Sequence, residues 1–201
     1  MKKLLLILVG CVLPASAQAA TAAYKLDPDQ SHVRFADKMC EADLLMGDFR
    51  GVKGTIWFDE EHPDKSRVEV TIDARSGVYS KEMHKGEAIK TIIEGKNFLD
   101  VEKYPVIIFK STKVEQTSDF TADVNGDLTL MGITHPFTME VTFDKDQGKT
   151  ANDRQLAAFS AYGKFKRSDF RNYYGLDRLG IRKIGDEVTV LIVATGVRPS
   201  H

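Results

Sequence analysis

Asn97–Phe143 decides the fold. It runs NFLDVEKYPVIIFKSTKV to Val114, crosses a polar turn, and resumes from Val124 as VNGDLTLMGITHPFTMEVTF. Three strands follow one another here. Val106 to Val114 is apolar and β-branched and begins directly after Pro105, a residue that can open a strand but not sit inside a ladder. Ala122 to Leu130 alternates, with Val124, Leu128 and Leu130 on one face and Asp123, Asn125, Asp127 and Thr129 on the other. Gly126 falls on the inner face, where a bend or a closely approaching group requires that there be no side chain. A turn over Met131–Pro136 then leads into Phe137, Met139, Val141 and Phe143 at strict period two. The pattern is an antiparallel meander with one dry and one wet face.

The same alternation extends outward in both directions. Tyr24–Leu26 and Ser31–Phe35 are short strands parted by a turn at Asp27-Pro28. Gly51–Phe58 is a strand closed by an acidic turn, and Arg67–Ala74 places Val68, Val70, Ile72 and Ala74 on one face. Ala36–Asp48 lacks clean period two and is expected to be a mobile or distorted segment near an opening. Met83, Glu87, Ile89, Ile92 and Ile93 approach helical spacing, which predicts one short helix over His84–Glu94, ended by Gly95. Beyond the meander, Leu156–Lys166 turns Ala157, Phe159, Ala161, Gly163 and Phe165 to one side. A long loop over Arg167–Lys183 then precedes a last strand, Glu187–Gly196. Eight or nine strands and a single helix, without repeat or composition break, predict one all-β domain, a sandwich or a barrel. Small inner-face residues (Ala74, Ala157, Ala161, Gly163, Gly126) favour a barrel with space inside. About eight strands enclose just enough room for side chains or one small ligand.

The amino terminus has another character. Lys2 and Lys3, the apolar run Leu4–Val9 and the small residues Ala15–Ala19 follow the order of a secretory signal peptide, with cleavage expected after Ala19. A competing expectation takes Leu8-Val9-Gly10-Cys11 as a lipoprotein box with Cys11 lipidated. Removing residues 1–19, which carry two lysines and no acid, leaves 182 of 201 residues as one domain over 20–201 and moves the formal charge from −1 to −3. The expected location is the periplasm. A mildly acidic chain without a basic stripe argues against nucleic acid as a partner. Membrane contact is compatible with the sequence, but integral insertion is not expected. With Cys11 gone, Cys40 is alone, so stability must rest on the core. Cys40 itself fits a small buried apolar residue better than a reactive thiol.

No catalytic set or cofactor motif stands out. The five histidines show no metal-ligand spacing, and Met83-His84 with Met39-Cys40 is a weak copper pattern. There is no GxSxG elbow and no glycine-rich phosphate loop. The apolar inventory remains, and with it the question of what the dry faces cover.

Several strings together resemble the YceI-like family of bacterial lipid-binding proteins. They are Tyr24–Pro28 with Ser31–Phe35, Gly51–Asp59 (GVKGTIWFD), Val68–Ile72, Asn97–Val114, Gly126–Thr134 (GDLTLMGIT), Gly163–Phe170 (GKFKRSDF) and Ile184–Val188. The resemblance implies an extended, antiparallel, eight-stranded lipocalin-like barrel. It implies an inner cavity that takes a long-chain isoprenoid or fatty-acid-like ligand without altering it, with no cofactor and no metal. Self-association as a homodimer is compatible with it. The expected wall residues are Phe35, Phe58, Ile72, Phe109, Leu128, Leu130, Phe137, Met139 and Phe159. Ala36–Asp48 and Ser76–Gly95 depart from the family pattern and are expected at the mouth, with Arg34, Lys38 or Arg167 orienting an anionic head group. Two alternatives stay open. One is a protein-interaction module with a packed barrel and an exposed patch of Tyr173, Tyr174 and Leu176. The other is an enzyme acting on a bound lipid through His32 or His135 beside a carboxylate.

Overall fold

The structure, a computed structural model, describes residues 21–39, 43–79, 86–144, 148–150, 155–176 and 184–199. The signal-like residues 1–19, Cys11 and Cys40 lie outside them, as do Met83, His84, Leu179 and Ile181. The strands are β1 (Ala22–Leu26), β2 (His32–Met39), β3 (Asp43–Phe49), β4 (Val52–Phe58), β5 (Arg67–Asp73), β6 (Gly77–Tyr79), β7 (Val106–Gln116), β8 (Thr121–Leu130), β9 (Ile133–Asp144), β10 (Leu156–Lys166) and β11 (Ile184–Val197). One α-helix, α1, spans Gly86–Glu94.

Every pairing is antiparallel. The order β1-β4-β5-β7-β8-β9-β10-β11 closes on itself through β1 and β11 (Lys25 opposite Val197, Leu26 opposite Gly196). Closure removes the exposed edges of an open sheet. The remaining three strands prolong this eight-stranded barrel lengthwise. Strand β2 continues β1 along β11 (Val193 opposite His32), β3 runs beside β2, and β6 lies beside β3 as β5 lies beside β4. Three of the eight wall positions are therefore broken strands, which makes the barrel long.

Each break has its own chemistry. Between β1 and β2 the chain turns at Asp27–Gln30, and Thr195 of β11 loses its strand partner. Its N–H instead donates to Ser31 Oγ (3.1 Å), and its carbonyl accepts from the Asp27 N–H (2.8 Å). Between β5 and β6 a 3-10 turn, Ala74–Ser76, is capped by Asp73, whose side chain accepts from the Arg75 N–H at 2.9 Å. Ser76 Oγ accepts from the Gly51 N–H (2.9 Å) and so fixes the matching break between β3 and β4.

Two sequence expectations need correcting. Ala36–Asp48 is not a distorted segment where described: β2 runs to Met39, β3 resumes at Asp43, and Ala36 faces Met46 in regular register. The turn after β8 occupies only Met131 and Gly132, both at positive φ (52° and 73°), the geometry of a tight hairpin. Strand β9 therefore starts at Ile133 and contains Pro136. The proline is accommodated because β9 pairs with β10 only from Met139 onward, so no ladder bond is lost there.

Helix α1 and the turn after it close one end. The helix packs beside β6. Ile93, Phe98, Leu99 and Val101 are buried and, with Phe170 from the 3-10 turn Arg167–Phe170, plug the barrel at that end.

Candidate functional site

The inner faces of the strands enclose a cavity of about 540 Å³, within the range of small-molecule sites. The nine wall residues expected from the sequence come from seven of the eight wall positions, and β11 supplies the eighth through Val188, Val190, Ile192 and Ala194. Phe35 comes from β2, Phe58 from β4, Ile72 from β5, Phe109 from β7, Leu128 and Leu130 from β8, Phe137 and Met139 from β9, and Phe159 from β10. The structure thus brings all nine named side chains to one surface. On β7 the lining runs from Ile107 to Gln116. At about 3.3 Å per residue and a strand tilt near 40°, that is a passage on the order of 20 Å long.

Aromatic rings line it in groups. Phe58, Phe143 and Phe159 meet at centroid distances of 4.5, 5.8 and 5.2 Å. Edge-to-face contacts link Phe109 to Phe137 (6.1 Å), Phe137 to Phe165 (5.9 Å) and Phe165 to Phe170 (5.3 Å), reaching the plugged end. Two of the small inner-face residues do not leave space for a ligand, as the sequence suggested. A Cβ on Gly126 would meet the Phe109 ring, and one on Gly163 the Phe137 ring. These glycines seat rings that would otherwise project farther into the passage. Ala161 does line the cavity, whereas Ala74 and Ala157 are buried away from it.

The two ends differ. At one end the lining residues Glu60, Gln116, Ser118, Asp119 and Phe120 are exposed and lie at the end of β7 and in the β4–β5 and β7–β8 turns. This is the mouth. At the other end Asp37, Phe98, Leu99, Arg167 and Asn172 line the cavity and all are buried. The mouth is therefore opposite the Ala36–Asp48 and Ser76–Gly95 regions where it was expected. Arg34 and Lys38 lie exposed on the outer face of β2, Arg34 some 4.0 Å from Asp48. Arg167 does reach the cavity, but at its plugged end.

That end holds a polar cluster inside an apolar tube. Asp37 and Asn172 are 2% exposed and Arg167 1%. The Arg167 guanidinium donates from Nε to the Gly185 carbonyl, from Nη2 to the Ile184 carbonyl (2.9 Å) and from Nη1 to the carbonyl and Oδ1 of Asn172 (3.3 and 3.1 Å). It also lies 5.6 Å over the Phe98 ring. Asn172 Nδ2 donates to the Phe98 carbonyl at 3.0 Å. Asp37 Oδ2 is 3.4 Å from Arg167 Nε. A bulge in β11 between Ile184 and Val188 makes room for the carboxylate, and a Cβ on Gly185 would strike Asp37 Oδ1. Burial pushes the Asp37 pKa up to about 6, against the opposing pull of Arg167 and the nearby Lys38 and Gly185 amides. Those amides favour the charged form, yet neither carboxylate oxygen has a partner in hydrogen-bonding geometry among the described residues. Burial likewise lowers the Arg167 pKa, opposed by Asp37 and Asp186.

Asp37 and Asn172 are the residues that sequence reasoning missed. For Asp37 the signal existed: Val33 and Phe35 point inward, and Asp37 follows in the same phase. Asn172 sits in a loop without periodicity and carried no signal. His135 packs on Phe170 (5.4 Å) and His32 lies on the outward phase of β2; neither lines the cavity. Tyr173 is 63% exposed, whereas Tyr174 and Leu176 are half-buried, Tyr174 against Phe98. The expected aromatic surface patch reduces to one residue. Among the described residues no His, Cys, Asp and Glu side chains group as a metal site.

Comparison with known proteins gives the same picture. The YceI-like domain family matches residues 24–195. The chain is similar to protein YceI of Shigella flexneri, 34% identical over 98% of this chain and 99% of that protein. It is also similar to a UPF0312 protein of Pseudomonas putida, 33% identical over 81% and 82%. Among solved structures, Burkholderia cenocepacia BcnA superposes with a TM-score of 0.70 at 22% identity, covering 85% of this chain and 98% of that one. A polyisoprenoid binding domain from Saccharophagus degradans superposes at 0.62 with 15% identity, covering 89% and 99%. At these identities the structural likenesses establish the fold.

Proposed function

This chain belongs to the YceI-like family, and from that premise we propose that it binds one long apolar molecule in its barrel, of polyisoprenoid or fatty-acyl type, and sequesters or carries it unaltered. One observation carries the reading: a tube of about 540 Å³, walled by aromatic and aliphatic side chains and open at one end, in a barrel that could have been packed solid. Spread over a length on the order of 20 Å, that volume is a passage one chain wide. Each methylene moved into it from water contributes about 0.8 kcal/mol, so a long chain binds usefully before any head-group contact is made. The Saccharophagus degradans relative in fold, described as a polyisoprenoid binding domain, supports the ligand class. The signal-like residues 1–19 support a periplasmic site of action. The interaction-module alternative required a filled interior and is disfavoured by the cavity.

Native mass spectrometry of the protein purified from its own host, followed by organic extraction, tests the proposal. The expected result is a bound mass that extraction converts to a long-chain lipid. A protein that carries no such mass and takes up neither labelled prenyl nor labelled acyl chains would refute it.

A further inference from the structure

We infer that the plugged end of the tunnel is a head-group subsite for a hydrogen-bond donor, a terminal hydroxyl or primary amide, so that the ligand enters polar end first and lies with its tail toward the mouth. The inference rests on the chain-binding reading above and deepens it. Three observations carry it.

First, Asp37 is 2% exposed, lines the cavity, and pairs with Arg167 Nε at 3.4 Å while neither carboxylate oxygen has a partner in hydrogen-bonding geometry among the described residues. Buried acceptors are almost always satisfied, and an unsatisfied one favours any donor that can reach it. Second, the donors at this end are directed at protein carbonyls and not at Asp37. Arg167 directs its N–H groups at the carbonyls of Gly185, Ile184 and Asn172, and Asn172 Nδ2 at the carbonyl of Phe98. The Asp37 oxygens are the buried acceptors left open at this end. Third, among the described residues the charged side chains lining the cavity are three carboxylates, Asp37, Glu60 and Asp119, against Arg167. Asp186 stands behind the cluster and is held by the N–H and hydroxyl of Ser168 (2.9 and 2.8 Å). A carboxylate or phosphate head would meet like charge at the deep end and again at the mouth. A hydroxyl or amide avoids that repulsion and gives Asp37 the hydrogen bond that its ion pair with Arg167 does not supply.

The test is a head-group series on one saturated chain: hexadecanol, hexadecanamide, hexadecanoic acid and methyl hexadecyl ether, titrated into the delipidated mature protein at mildly alkaline pH. The alcohol and the amide should bind about tenfold or more tightly than the ether, as expected for one buried hydrogen bond to a charged group, and the acid should bind more weakly than the alcohol. Asp37→Leu should bring alcohol and ether together while leaving ether binding intact. Asp37→Asn, which removes the charge and adds a donor, should relieve the penalty on the acid. Ether and alcohol binding equally to the wild-type protein, or the acid binding tightest, would overturn the inference while leaving the chain-binding reading in place. If no member of the series binds, both fail. The wild-type ranking decides even if a variant does not fold.

Discussion

A methyl group added at Gly126 would meet the Lys110 carbonyl oxygen and the Phe109 ring, the latter at 2.5 Å. The ring can turn away, but the carbonyl belongs to the β7–β8 ladder and cannot. Gly126→Ala should therefore lower stability by about 1–3 kcal/mol through overpacking, measured as a drop in the urea midpoint at unchanged m-value. The inward phase of Gly126 was legible in the sequence; that a phenylalanine occupies its place was not, because ring direction depends on the neighbouring strand's register. Asp37 is the complementary case: its phase was legible, but its partner lies 130 residues away in sequence, beyond any local pattern. Its pKa, raised to about 6 from an ordinary 3.8, sets a pH dependence. Between about pH 4 and 6 the native state holds a proton that the unfolded chain has released. This group's contribution therefore favours folding at low pH and declines as pH rises through 6, by about 3 kcal/mol in all. Arg167 and Asp186 are the charged groups facing it. Asp59 acts in the opposite sense, since the His62 amide holds its carboxyl below the usual range and its contribution is lost in acid. The contrast to measure is consequently wild type against Asp37→Asn, whose stability should fall less steeply between pH 4 and 7; parallel profiles would count against the assignment.

At the scale of elements, the strands with strict alternation were the legible ones. Both β5 and β8 keep in the barrel the inner faces that their sequences present, and α1 ends at Glu94 as the glycine after it suggested. What could not be seen was that β1 with β2, β3 with β4, and β5 with β6 are single wall positions broken in the middle. Alternation reports faces within a strand and not which strands are collinear; for β1 and β2 collinearity is set by their shared pairing with β11, at separations of 145 residues and more. Ala36–Asp48, expected to be irregular, is regular where described because cross-strand pairing outweighed a weak local pattern. The break between β1 and β2 depends on one hydroxyl. Ser31, 1% exposed, takes the Thr195 N–H that the interrupted ladder leaves over and lies 3.4 Å from the Thr195 carbonyl. Ser31→Ala should strand that buried N–H and cost about 1–3 kcal/mol, whereas Ser118→Ala, at an exposed turn, should stay within about 0.5 kcal/mol. Hydrogen exchange at the Thr195 amide would localise the loss, and slow exchange persisting in the Ser31 variant would contradict the assignment.

For the molecule as a whole, the question is why a closed barrel with so many phenylalanines is not filled. Eight strands leave an interior that side chains can just occupy, and here the rings stack against one another along the wall, with glycines beneath two of them. Length also matters: the three broken strand positions extend the tube beyond what one plug can fill, so α1 and the Arg167–Phe170 turn close one end and leave the other open. Leaving this volume empty forgoes packing that the fold would otherwise gain, which makes filling it an informative experiment. Ala161 lines the cavity on β10, between Val141 of β9 and Ile192 of β11. Ala161→Phe would project a ring into the passage without adding a polar group. If the tube is unoccupied space used only by ligand, the variant should fold with a melting temperature equal to or above wild type in the delipidated state, because added apolar area is buried at little steric cost. Chain uptake should at the same time fall about tenfold or more, since a passage one chain wide has no room to route around the ring. Melting of the delipidated protein and fluorescent fatty-acid titration separate the two effects. Retained uptake would place the binding surface elsewhere, and a large loss of stability would mean that the interior is already full.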